Sequence, residues 1–106
     1  MLYLSNEIYN AEWFNDPKAS RVMISLLIEA MKQETAGTKY AGLVETSLEL
    51  IMFDTGMNME ETLIGLETLI EMNEVKGFRS ERKISYGIHD YEKYVVKDDE
   101  SEQAEK

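Results

Sequence analysis

Few residues of this 106-residue chain have the types and spacing for acid–base or metal chemistry: the single histidine, His89, beside Asp90, and the carboxylate groups Glu60-Glu61 and Asp98-Asp99-Glu100. His89-Asp90 has the form of a base oriented by a carboxylate. There is no cysteine, however, and no serine in a nucleophile-elbow context for such a base to activate. The carboxylate groups lack the histidine or the aspartate-rich loop spacing that a metal site requires, and the glycines are scattered singly rather than gathered into a phosphate loop. No enzyme activity, metal or cofactor is expected.

Charge is the more informative chemistry. Between Tyr40 and Val75 the chain carries eight acidic residues and no Lys or Arg, within a net charge of −10. On a helical wheel Glu60, Glu61, Glu67 and Glu71, with Ile64 and Thr68, form one continuous face opposite Met59, Leu63, Leu66 and Ile70. Three readings of that face stand open. It is a solvated helix exterior, or it docks a basic surface on another protein with Ile64 as an apolar anchor, or its carboxylates mimic nucleic acid phosphates. An N-terminal arm lying over Ile64 would remove the anchor. The positive charge gathers at Lys76, Arg79, Arg82 and Lys83, opposed only by Glu81, at the predicted tip of a hairpin. Such a tip either reaches along phosphates or into a minor groove, or protects a sheet edge from mispairing. Lys18, Arg21 and Lys32 join no pattern with it.

The elements that must position these residues are legible from caps and periodicity. Asp16-Pro17 starts a helix with its cap and N1 proline in order, and the dense apolar run Val22 to Ile28 marks that helix as covered on most of its circumference. Ala36-Gly37-Thr38 breaks it, and Gly42 to Thr46 supplies a short strand. Ser47 then caps a short helix stopped by Gly56. Asn58, with Glu61 three residues on, opens another whose apolar arc is Met59, Leu63, Leu66, Leu69 and Ile70. Val75 to Phe78 reads as a strand, Arg79 to Arg82 as a turn, and Ile84, Tyr86 and Ile88 alternate at period two. Leu2 to Tyr9 is a strand or arm. The expected fold is α+β, a winged helix-turn-helix of three helices with a C-terminal two-stranded wing. Leu63, Leu66 and Ile70 should pack on Ile24, Leu27 and Ile28, and Met57 and Met72 should lie near the surface.

Length allows one compact domain, residues 1–97. Residues 98–106 are too polar to offset their ordering entropy and read as a disordered acidic tail. The N-terminus has neither a basic flank nor a long apolar run, and Val22 to Ile28 falls far short of the ~20 apolar residues of a membrane span, so a cytoplasmic location without membrane contact is expected.

The series Trp13-Phe14-Asn15-Asp16-Pro17, the apolar helix, Tyr40-Ala41-Gly42-Leu43-Val44, Ser47-Leu48, Leu66-Glu67-Thr68-Leu69-Ile70-Glu71 and Ile88-His89-Asp90-Tyr91-Glu92-Lys93-Tyr94 resembles the N-terminal winged-helix domain of bacteriophage replisome-organiser proteins. The resemblance implies a phage setting in a bacterial host cell and a connection to replication initiation, where relatives bind origin DNA and recruit a host helicase through its loader. Those relatives carry a further C-terminal recruiting region that these residues do not include.

Departure from that family is sharpest on the second helix of the helix-turn-helix. A DNA-reading helix offers donors and cations to phosphates and base edges. Here the corresponding positions are Glu60, Glu61, Glu67 and Glu71, which repel phosphate and make DNA reading by this helix an unfavourable choice. The expectation is a protein that binds a host replication protein with a basic surface, the helicase loader first, and inhibits initiation. The alternative is a DNA-binding regulator or replication initiator that contacts DNA through Lys76, Arg79, Arg82 and Lys83.

Overall fold

The computed structural model describes residues 1–37, 41–80 and 83–97, with the backbone only for residues 79, 80 and 83. The chain runs β1 (Leu2–Leu4), two 3₁₀ turns (Asn6–Asn10 and Glu12–Asn15), α1 (Pro17–Thr35), β2 (Leu43–Thr46), α2 (Leu48–Thr55), α3 (Met59–Glu71), β3 (Val75–Ser80), β4 (Lys83–Ile88), α4 (Tyr91–Tyr94) and β5 (Val95–Lys97). It is an α+β fold whose helix order and small antiparallel sheet are compatible with a winged helix. The strands form a three-stranded sheet in the order β2-β4-β3, with Val44 and Gly77 both facing Tyr86 across it, and a separate β1-β5 pair.

The helix boundaries follow the capping chemistry of the sequence. Asp16 accepts a hydrogen bond from the Ala19 amide, with Pro17 at the first helical position, and Ser47 accepts from the Leu50 amide. Gly56 ends α2 with φ 75°, a left-handed conformation that glycine adopts without steric cost. Asn58 and Glu61 form a reciprocal capping box at the start of α3. At its other end Asn73, with φ 62°, closes a Schellman motif, since the Glu74 amide donates to the Leu69 carbonyl and the Asn73 amide to that of Ile70.

α1 is the scaffold. Its Val22, Met23, Leu26 and Leu27 are buried, with Trp13 packed edge-on against Tyr94 at 5.5 Å between ring centroids. The Gln33 side chain does the work of a neighbouring strand for β2: its amide donates to the Glu45 carbonyl at 2.7 Å and accepts from the Glu45 amide at 3.0 Å. The outward backbone groups of Glu45 on that edge are thereby satisfied.

Several expectations are corrected. The N-terminal strand is confined to Leu2–Leu4, because Ser5 caps a 3₁₀ turn in which Ile8 is buried. α4 and β5 were not foreseen: β5 pairs with β1, and α4 buries Tyr91 and Tyr94. Burial pushes the Tyr94 hydroxyl up to about 12 and the Tyr91 hydroxyl higher still, so both stay protonated and donate, to Glu74 and Glu34 respectively. Met57 is buried and Met72 half-buried against the core rather than at the surface. The proposed tail, residues 98–106, lies outside the described residues.

The largest correction concerns the rotation of α3. Its buried positions are Thr62, Gly65, Leu66 and Leu69, whereas Met59, Leu63 and Ile70 are exposed, and so is Ile28 on α1. The reason is how closely the helices approach. A Cβ on Gly65 would lie 2.5 Å from the Lys18 carbonyl oxygen and 2.9 Å from Val22 Cγ2. Backbones this close accept only small residues at the crossing, so the larger apolar side chains of α3 are turned to its flank.

Candidate docking face on the third helix

α3 carries the acidic residues singled out by the sequence, and the structure divides them by role. Glu61 is half-buried, and its Oε1 accepts from the Asn58 amide at 3.0 Å. Its charge sits over the free amides at the helix start, where the dipole favours an anion. Thr68 is half-buried too, its hydroxyl donating to the Ile64 carbonyl at 2.9 Å. These two act within the helix. Glu60, Ile64, Glu67 and Glu71 project outward at intervals of four, three and four residues, which makes a single exposed stripe. Among the described residues none of these three carboxylates has a cation partner.

Beside that stripe runs a second one, on the surface and not in the core as its apolar arc implies. Met59, Leu63 and Ile70 share a flank of α3, and together with Ile64 they are 42% to 45% exposed. Ile64 is therefore one of four large apolar side chains around Glu60, Glu67 and Glu71, rather than a lone anchor. The signal that could have found the others was the pair Thr62 and Gly65, small residues three apart that mark the closest helix contact. The N-terminal arm leaves Ile64 exposed.

Of the four basic residues of the hairpin, only Lys76 has its side chain among the described atoms. Lys76 stands near the base of the β3-β4 hairpin, opposite Gly87, with its Nζ 5.8 Å from the Phe78 ring centroid. Arg79 and Lys83 lie on the strands near the tip, with side chains beyond the described atoms, and Arg82 lies outside the described residues. His89 points into solvent, its side chain 72% exposed and its Nε2 3.8 Å from Asp90 Oδ1. Among the described residues no cluster of His, Asp and Glu is arranged to hold a metal ion, and no helix is long and apolar enough to cross a membrane.

No family model, curated protein or solved structure matches the chain. The resemblance to replisome-organiser domains rests on the residues quoted for it above.

Proposed function

We propose that this chain is a winged helix-turn-helix protein of the phage replisome-organiser type that works by docking a host replication protein on the outer face of α3. The observation that carries the reading is the pair of adjacent stripes on that face: apolar Met59, Leu63, Ile64 and Ile70, and acidic Glu60, Glu67 and Glu71, without one cation. An apolar centre desolvates on contact while a charged rim selects the partner. The same carboxylates repel the phosphates of a DNA groove. The helicase loader is the first candidate partner, because its nucleotide and DNA surfaces are basic and complementary to this face. Occupying those surfaces inhibits initiation.

A second reading has one observation in its favour. Phe78 is 48% exposed with Lys76 against its ring, an aromatic and a cation presented together on the hairpin, which suits contact with nucleic acid by Lys76, Arg79, Arg82 and Lys83. Titration of the full chain into purified helicase loader and into duplex DNA separates the two. The docking reading expects a loader complex weakened at least tenfold, about 1.4 kcal/mol, by Ile64→Asp, and DNA binding no tighter than the ~10⁻⁴ to 10⁻⁶ M of non-specific contact. Nanomolar duplex binding lost with Arg79→Ala and Arg82→Ala would replace it with the second reading.

A further inference from the structure

A second apolar surface, between α1 and α2, carries charge of the opposite sign. Ile24 and Ile28, one turn apart on α1, line a groove of about 420 Å³ whose other wall is Asp54 and Thr55 of α2. The Ser25 hydroxyl donates to Asp54 Oδ2 at 3.4 Å across it. α2 extends the apolar surface: Leu50 lies one turn before Asp54, and Phe53 beside it is 85% exposed. Arg21 and Lys32 flank the groove. With Asp54 the only carboxylate lining it among the described residues, the groove is locally positive in a chain of net charge −10.

The spacing of these charges has a counterpart in the same chain. Arg21 and Lys32 are eleven residues apart on α1, three helical turns or about 16 Å, and so share one face. Glu60 and Glu71 are eleven residues apart on the outer face of α3. Ile24 and Ile28 lie between the cations, and Leu63 and Ile64 lie between the carboxylates.

We infer that the α1-α2 groove receives the outer face of α3 from a second copy of this chain, Glu60 and Glu71 meeting Arg21 and Lys32 while Leu63 and Ile64 cover Ile24 and Ile28. The two surfaces are unlike, so the contact is heterologous. Repulsion between two copies of net charge −10 is screened beyond about 8 Å at physiological salt, whereas the matched charges act in contact. The inference rests on reading the outer face of α3 as a docking surface, and it adds a regulation: self-association occupies that face and competes with the host partner for it.

Sedimentation velocity on the full chain tests it. Concentration-dependent association is expected in about the 10–100 μM range, as for a small interface. Arg21→Glu with Lys32→Glu, and separately Glu60→Lys with Glu71→Lys, should each weaken association at least tenfold without altering the thermal melt. Mixing the two reversed variants should restore it, because the acidic groove of one meets the basic helix of the other and the unaltered helix of the first meets the unaltered groove of the second. A wild-type chain monomeric to about 1 mM, reversals without effect, or a mixture that does not associate would each overturn the inference. Its failure is distinguishable from failure of the docking reading. Arg21→Glu with Lys32→Glu should keep full loader affinity, while a docking face wrongly assigned to α3 would show as loader affinity unmoved by Ile64→Asp.

Discussion

On its inner side α3 presents Thr62, Gly65, Leu66 and Leu69 to the core, whereas its outer side carries Met59, Leu63, Ile64 and Ile70 among Glu60, Glu67 and Glu71. Large apolar residues are thus more numerous outside, where there are four, than inside, where Leu66 and Leu69 are the two. What separates the two sides is distance: the inner side meets α1 backbone to backbone at Gly65, and only small side chains fit there. Hydrophobicity placed the helix in the fold, and residue size set its rotation. The apolar side chains turned outward by that rotation are available to a partner.

Variants on the two sides should therefore behave oppositely. Leu69→Ala, which empties a fully buried position, should cost about 2–5 kcal/mol by denaturant unfolding. Gly65→Ala is the sharper probe, because alanine is favoured over glycine by about 1 kcal/mol in a helix interior, yet the clash with Lys18 should make this variant less stable by about 1–3 kcal/mol. A stabilised Gly65→Ala protein would mean that α1 and α3 do not approach as closely as described. Asn58→Ala, which removes the acceptor of the capping box, should cost about 1 kcal/mol. Leu63→Asp and Ile64→Asp should change stability least, by less than about 1 kcal/mol, since each replaces an exposed side chain. A large loss there would show that the outer side is covered.

Much of this architecture was legible because backbone caps are local. Asp16-Pro17, Ser47, Gly56, Asn58 and Glu61 each state a boundary through a bond to a residue two to four positions away, and the structure forms them as read. Alternation likewise exposed β4. The rotation of α3 was not legible from its apolar arc, because that depends on Lys18 and Val22, more than forty residues upstream of Gly65. α4 and β5 escaped for a similar reason: four and three residues carry little periodicity of their own, and they are held by Leu2–Leu4 and by Trp13 at the far end of the chain. Of the acidic face, its existence was legible. That Glu61 and Thr68 bond within the helix, and that Met59, Leu63 and Ile70 join the exposed surface, needed the packed structure.

Whether the outer side of α3 or the hairpin is the docking surface, as proposed above for α3, is decided by site-specific photocrosslinking. A photoreactive residue is placed at position 64 or at position 76 of the full chain and irradiated with purified helicase loader. A covalent adduct with the loader is expected from position 64 and none from position 76. An adduct from position 76 alone would contradict the proposal.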